Sequence, residues 1–480
     1  MSFPDLYTWI AGSPEPSEIE LEDDLFDPNT SSPIQRLRSS SEMQVDRAIE
    51  AAARAHASGV WRRSGVADRA AVLDAFANEL EGVVDDVARL DSLNSGVPIT
   101  VTRILAASLP GTVRAAAELA KAVGDVQALP ADGRTVRLRK EPWGPAALIL
   151  PWNAPSAMAT KKLAFCLAAG ATAVVKPSPA SPWSAQLIVE AAAQAGLPSG
   201  VVNLVLGGRA IGERLVGDPR IHAISMTGST PNGKAIAARA GANLTRLQLE
   251  LGSNNPAIVR ADADIEATAA SVASGTMKLS GQWCEAPRRV LADRSILPNF
   301  VETLIDILGG MRLGSSLDDD TEIGPVAFEA RRDELVSQRD ALVAAGAKAV
   351  GTSPIPDAGW FVSPTVIVGD AIDLSGELFG PMVTVQPTDD DRQAVRLANQ
   401  GSCGLAGYVY SRDLDAALTI GARLVAGEVK VNGSSVLDLA PGAVQSFFSD
   451  SGVGGHGDAN LLEFFRGTQV VGVEAPGLPI

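Results

Sequence analysis

The chain has 480 residues, with 40 Lys plus Arg against 56 Asp plus Glu and a formal net charge of −16. So acidic a balance argues against nucleic acid or an anionic membrane as the main partner. Hydrophobic residues at 46% and charged residues at 20% exclude a disordered or fibrous chain, and the length suggests about three domains, or two large ones.

Cys166, Cys284 and Cys403 cannot all pair and lie far apart, so a disulfide scaffold is excluded and a reducing compartment is favoured. His56, His222 and His456 are isolated in sequence, and no Cys/His spacing suggests a metal site. The N-terminus is acidic and lacks the pattern of a signal or transit peptide. No run of 18 apolar residues exists to span a membrane. The expectation is a soluble cytoplasmic protein.

In chain order, a Pro-rich and irregular start runs to about Ser41. Ser41 with Gln44 three residues later reads as a capping box, and Val45, Ala48, Ile49 and Ala52 follow on one helical face. Further helices are predicted over 66–80 and 114–123. Residues 135–140 alternate apolar and charged after a turn at 131–133, the pattern of a half-exposed strand. Such an exposed hairpin often pairs with another subunit.

Short apolar runs then alternate with helices. Strands are predicted at 146–150, 171–175, 201–206, 221–225 and 246–251, with helices at 158–169, 182–195 and 233–240. Apolar strands alternating with helices imply a parallel sheet covered on both faces, and ligands bind such sheets at the carboxyl ends of the strands. A second α/β unit follows, with helices at 265–279, 299–308 and 392–399. Its strands are predicted at 289–292, 365–368, 383–386, 405–410 and 428–431, and a lone tail strand at 468–473 is a candidate partner for the early hairpin.

Four segments could carry chemistry. Cys284 lies between Gly281 and Pro287, in a loop after a helix, and is either a small buried hydrophobe or an exposed and reactive thiol. Cys166, in an apolar helix, reads as core, and Cys403 is undetermined. Glu250 is an acid ending a buried strand, either a solvated strand end or a general base. The segment 227–233, between a strand and a helix, can present backbone N–H groups to phosphate, but without a following Lys-Ser/Thr it is not an ATP P-loop. Asn153, between two prolines at a strand's carboxyl end, is either part of a rigid turn or an oxyanion donor.

Together the segments resemble the aldehyde dehydrogenase superfamily over about residues 9–473. The markers are Asp27-Pro28-Asn29-Thr30, Pro151-Trp152-Asn153, Lys176-Pro177-Ser178-Pro179, Thr227-Gly228-Ser229-Thr230, Leu249-Glu250-Leu251-Gly252, Gly281-Gln282-Trp283-Cys284 and Glu377-Leu378-Phe379-Gly380-Pro381, in the family's order. The resemblance implies an α/β fold of two Rossmann-like domains plus a small β oligomerisation element. The divisions it implies are 1–123 and 143–251 for dinucleotide binding, 252–448 for catalysis, and 124–142 with 449–480 for oligomerisation.

It also implies roles. Cys284 matches the nucleophile, Glu250 the general base, Asn153 the oxyanion donor beside the Cys284 backbone N–H, and Lys162 a lysine assigned to proton relay. For the cofactor, NAD or NADP, it implies Trp152, Lys176, Ser178, Gly228, Ser229, Gly233, Leu251, Glu377 and Phe379. Lys176 would sit at the adenosine ribose, Ser229 at the pyrophosphate and Glu377 at the nicotinamide ribose. Lys161, Trp283, Glu285 and Phe447 would line the substrate tunnel, and Lys161, Glu285 and Lys278 there suggest a substrate with polar groups. The implied partners are an aldehyde and further copies of the chain, as homodimer or homotetramer.

The implied reaction is attack of the thiolate on an aldehyde, hydride transfer to leave a thioester, and hydrolysis to the acid. Glu250 favours hydrolysis over transfer to coenzyme A, and Cys284, Glu250 and Asn153 together count against a binding-only homologue. Three departures bear on specificity. Pro179 and Ala180 stand where many members carry a carboxylate for the ribose 2′-hydroxyl, which leaves NADP unrepelled. Ser253-Asn254 replace the common Gly-Lys, and 445–452 is short and lacks a double glycine.

Overall fold

The computed structural model describes residues 3–131, 133–370, 372, 376–401, 404–440 and 442–474; Cys403 lies outside them. Two α/β layers dominate. The first sheet has eight strands in the order Ser13–Pro16, Tyr7–Ile10, Val202–Leu204, Ala173–Lys176, Ala146–Ile149, Ala223–Thr227, Arg246–Glu250, Gly452–Val453. Its five central strands are parallel. By chain order they run third, second, first, fourth, fifth, so the winding reverses between Ala146–Ile149 and Ala223–Thr227. A crevice opens at such a reversal, outside the carboxyl ends.

The second sheet has seven strands, in the order Lys348–Gly351, Thr365–Val368, Met382–Thr388, Arg289–Asp293, Pro256–Val259, Ala406–Tyr410, Glu428–Val431. All are parallel except the edge strand Lys348–Gly351. Strands buried on both faces need no polar side, which is why Ala146–Ile149 and Ala173–Lys176 read as apolar runs. A third sheet joins Val126–Leu129, Val136–Pro142 and Arg466–Gly472, so the tail strand pairs with the early hairpin. No helix among the described residues is long and apolar enough to cross a membrane.

Three expectations are corrected. The first 41 residues are not irregular: they form the strands Tyr7–Ile10, Ser13–Pro16, Ile19–Asp27 and Ser32–Ser39. Pro14 and Pro16 lie on the edge strand of the first sheet, where a missing N–H costs no ladder bond. The helix read over 114–123 is the second half of Ile99–Val123, which runs through Pro110. The helix predicted to reach residue 279 stops at Met277, because Leu279 and Ser280 turn left-handed with φ of 53° and 57°. Non-glycine residues rarely adopt that conformation, and such strain collects at functional sites.

Candidate active site

The carboxyl ends of the first sheet deliver four side chains to one cleft. Asn153 follows Ala146–Ile149, Lys176 ends Ala173–Lys176, Thr227 ends Ala223–Thr227, and Glu250 ends Arg246–Glu250. All four line a cavity of about 1410 Å³, which Cys284 and Glu377 reach from the opposite wall. The tail strand Gly452–Val453 pairs antiparallel with Leu249 and Glu250 and fixes the end of that strand. Gly452 has φ +142°, and a Cβ there would fall 1.8 Å from the Leu249 carbonyl oxygen, so glycine is required.

Cys284 comes from a loop before the second sheet's Arg289–Asp293 strand. That loop is held by its carbonyls. Gly281 O accepts from Arg288 at 2.9 Å, Gln282 O from Asn153 Nδ2 at 2.7 Å, and Trp283 O from Arg288. Cys284 O and Ala286 O accept from Asn255 Nδ2 at 2.8 and 3.0 Å, and Glu285 O from the Tyr408 hydroxyl. Six consecutive carbonyls are thus committed to side-chain donors. The Cys284 N–H has no partner among the described residues. A free backbone N–H, in a loop whose Gln282 carbonyl is held by Asn153 Nδ2, is the kind of donor an oxyanion needs. Gly281, at φ +77°, lets the loop pass the Gly380–Pro381 backbone, which a Cβ would approach to 2.2 Å.

The Cys284 thiol lies 3.6 Å from Glu250 Oε1, toward which it donates. Thr227 Oγ1 donates to Glu250 Oε2 at 3.3 Å. Burial, then the negative fields of Glu250, Glu285 and Glu377, push the Cys284 thiol well above its ordinary range, with Arg288 opposing. At rest Cys284 is therefore a thiol. Burial also raises the Glu377 carboxyl, against the pull of Arg288, whose Nη1 is 3.4 Å away. Arg288 lies over the Phe379 ring at 4.9 Å, and Trp152 packs edge-on against Phe379 and Phe328.

The far end of the cleft suits an anionic, elongated ligand. Ser229 caps the helix Thr230–Gly241, and its hydroxyl makes no capping bond. The N-terminal N–H groups of that helix face the cavity's rim, a ready site for phosphate. Lys176 is 6% exposed, and its one hydrogen bond among the described residues is to Pro177 O at 3.4 Å. Burial lowers its ammonium to about 8. Ser178, Gly228, Leu251 and Phe379 also line the cavity. Gly233 does not; it is buried, and a Cβ there would meet Leu251 at 2.3 Å, so its place is helix packing. These features fit a dinucleotide.

The remaining expected residues, Lys161, Lys162, Trp283, Glu285 and Phe447, are not among the residues that line this cavity. Lys162 is 2% exposed and donates to Ser225 Oγ at 2.8 Å and Gln248 Oε1 at 3.1 Å. Burial lowers it to about 8 despite the nearby Glu250. Trp283 is buried among Val97, Leu279 and Ala286, with the Lys278 ammonium 4.8 Å above its ring. Phe447 is buried, and Glu285 is half-buried and raised to about 7 by burial, with Lys430 opposing. Lys161 pairs with Asp458 at 3.4 Å. Sequence reasoning missed Asn255, Arg288, Tyr408 and His456. The first three act on carbonyls that no motif marks, and His456 is isolated in sequence but 3.8 Å from Glu250.

A family model, Aldehyde dehydrogenase family, matches residues 17–471. Succinate-semialdehyde dehydrogenase of Paenarthrobacter nicotinovorans is 33% identical over 436 residues, covering 89% of this chain and 96% of that protein. Geranial dehydrogenase of Castellaniella defragrans is 37% identical over 401 residues, covering 81% and 83%. The crystal structure of betaine aldehyde dehydrogenase from Staphylococcus aureus in complex with NAD+ superposes with a TM-score of 0.93 at 30% identity, covering 98% of this chain and 95% of that one.

Proposed function

The chain belongs to the aldehyde dehydrogenase family, and from that premise we propose how its own residues oxidise an aldehyde to its carboxylic acid with NAD(P). The observation that carries the reading is the contact of Cys284 Sγ with Glu250 Oε1 beside the free Cys284 N–H. Glu250 takes the thiol proton, and the thiolate attacks the aldehyde carbon. The oxyanion that forms is met by the Cys284 N–H and by Asn153 Nδ2. When bound, the nicotinamide supplies the hydride acceptor that turns this adduct into a thioester. Glu250, emptied of its proton, then directs water onto the thioester, and the acid leaves with the thiol restored.

Lys176 and Ser178 would hold the adenosine ribose, Gly228 and Ser229 the pyrophosphate, and Glu377 the nicotinamide ribose, with Trp152, Leu251 and Phe379 lining the same cavity. With no acidic side chain at 179 or 180, NADP is admitted as well as NAD. Relatives named for succinate semialdehyde and for geranial are comparably similar to this chain. We assign the choice of aldehyde to Trp283, Glu285, Lys278 and Phe447, the residues that the resemblance implies for the substrate tunnel, rather than to ancestry. Glu285 and Lys278 carry ionisable groups, which favours a substrate with polar groups.

The chain is proposed to act as a homodimer or homotetramer, using the three-stranded sheet, where Val126, Val470 and Val471 are exposed. The free thiols Cys166 and Cys284 support a reducing, cytoplasmic setting. The decisive experiment is reduced-cofactor formation over a panel of acidic, aromatic and alkyl aldehydes with NAD and NADP, using Cys284→Ala as blank. Turnover that survives in the blank overturns the nucleophile.

A further inference from the structure

In the reading above, on which this inference rests, the nicotinamide takes one face of Cys284 and the rest of the aldehyde extends to the other. Cys284 lines the cofactor cleft, and its neighbour Glu285 does not. An apolar cluster packs on Cys284, with Trp283 and Leu279 joined by Val101, Leu105 and Ala154. Beside it the chain sets one half-buried carboxyl, that of Glu285. Consecutive Cα atoms are about 3.8 Å apart, so a group that Glu285 meets lies within a few bonds of the reacting carbon. The backbone here is fixed. Glu285 O accepts from the Tyr408 hydroxyl, and the carbonyls on either side accept from Asn255 Nδ2.

We propose that Glu285 selects aldehydes that carry a hydrogen-bond donor close to the carbonyl, a protonated amine above all, and turns away those that carry a carboxylate. The Glu285 carboxyl makes no hydrogen bond or ion pair among the described residues. A carboxyl withdrawn from water needs a partner, and the lysines that face it are committed elsewhere. Lys278 Nζ donates to Ser434 O and lies 4.8 Å from the centre of the Trp283 ring. Lys430 Nζ is 2.8 Å from Glu428 Oε2 and donates to Ser435 O at 2.6 Å and Leu437 O at 3.1 Å. Glu428 Oε1 accepts from Leu439 N at 3.0 Å. Both lysines thus pin the loop 434–439, and Glu285 is left for a ligand.

The balance of charge points the same way. Glu428 offsets Lys430, Asp458 offsets Lys161 at 3.4 Å, and Glu250 offsets Lys162. That leaves the carboxyls of Glu285 and Asp438 against Lys278 alone. A substrate carboxylate adds to this excess, whereas an ammonium relieves it. The acid in succinate semialdehyde, for which one relative is named, therefore has the wrong charge for this site.

Ionisation of Glu285 gives the selection a pH dependence. Burial raises its carboxyl to about 7; Lys430 opposes this, and Glu250, Glu428 and Asp438 add to it. Lys278, Tyr408 and the Cys284 thiol face it as well. Below that pH a neutral carboxyl accepts an ordinary hydrogen bond, and above it a carboxylate accepts a charge-assisted one. Preference for an amine therefore grows as pH rises through about 7.

Butanal, 3-hydroxypropanal and 3-aminopropanal share one number of heavy atoms and differ in the end group; 4-oxobutanoate supplies the acid. With saturating cofactor, kcat/KM for 3-aminopropanal should exceed that for butanal about tenfold or more, with 3-hydroxypropanal between them and 4-oxobutanoate last. The amine-to-butanal ratio is taken within each protein, so a general loss of activity cancels. Glu285→Gln should remove most of that ratio, Glu285→Asp should keep the order, and Glu285→Lys should place 4-oxobutanoate above the amine. In the wild type the ratio should rise from about pH 6 to 8, where the substrate amine stays protonated, and Glu285→Gln should show no such limb; a side chain that merely packs moves neither. A wild type that prefers butanal or 4-oxobutanoate to 3-aminopropanal overturns the proposal, as does a ratio that is flat with pH and unchanged in Glu285→Gln. If butanal is oxidised through Cys284 without preference for the amine, only selection by Glu285 fails. If no aldehyde is oxidised at all, the reading of the function fails and this inference with it.

Discussion

The two sheets meet the site with opposite edges. The first offers the carboxyl ends of parallel strands, from which loops lead into helix N-termini such as that of Thr230–Gly241. Those ends are rich in free N–H groups and receive anions. The second offers an amino edge, with Asn255, Cys284 and Glu377 all lying before strands. Loops there must dispose of their carbonyls. This chain does so with Arg288, Asn255 and Tyr408 for the carbonyls of 281 and 283–286, while Gln282 O accepts from Asn153 of the first sheet. On the proposed roles this is a division of labour: the first sheet binds and supplies the base, and the second, helped by Asn153, immobilises the Cys284 loop.

The sharpest way to break that division is Cys284→Ala. Oxidation should fall to the floor of a reduced-cofactor assay, while NAD binding, followed by fluorescence titration, should stay within about twofold, because the thiol acts in chemistry alone. Glu250→Gln tests the facing edge. The amide keeps the carboxylate's shape but accepts no proton, so nitrophenolate from 4-nitrophenyl acetate should appear in a slowed burst and then stall, with steady turnover down on the order of 10²–10⁴. Unchanged turnover would remove the base from the first sheet. Asn153→Ala should lower kcat on the order of 10²–10³ with little change in cofactor affinity, since one of two oxyanion donors is lost. It also frees Gln282 O, so a second readout is loop order by hydrogen exchange at 281–286, which should loosen.

How much of this was legible follows the same division. The first sheet's contribution is written in contiguous segments: apolar runs mark the strands, and Asn153, Lys176 and Glu250 stand at their ends. Local periodicity and a general rule about carboxyl ends suffice to gather them. Cys284 was legible through its loop glycine and proline, and the family resemblance turned both sets into roles. The supports of the nucleophile were not legible. Arg288 and Tyr408 look like strand residues, and their hydrogen bonds to carbonyls leave no mark in side-chain pattern. His456 was passed over for a similar reason. Its partners Lys161 and Glu250 are some 295 and 206 positions away in the chain, and only the pairing of Gly452–Val453 with the Glu250 strand brings that tail close. The first 41 residues misled because proline is read as a strand breaker, a rule that relaxes at a sheet edge.

The smallest expected effect probes the binding side alone. Burial lowers the Lys176 ammonium to about 8, so in the free protein it is charged below that pH and neutral above it. A cofactor phosphate or ribose oxygen beside it favours the charged form and so raises its basicity in the complex. Binding should therefore weaken as pH rises through about 8, with the cofactor KM climbing several-fold by about pH 9 while kcat is unaffected by this group, because the loaded site stays protonated longer. NADP should lose more than NAD, since a 2′-phosphate feels the missing charge more than a hydroxyl does. Lys176→Met should start with the weaker affinity and show no such limb. A cofactor KM that stays flat from pH 7 to 9 in the wild type would mean that Lys176 serves the cleft by its hydrogen bond rather than its charge, and the first sheet would then bind its anion through backbone N–H groups.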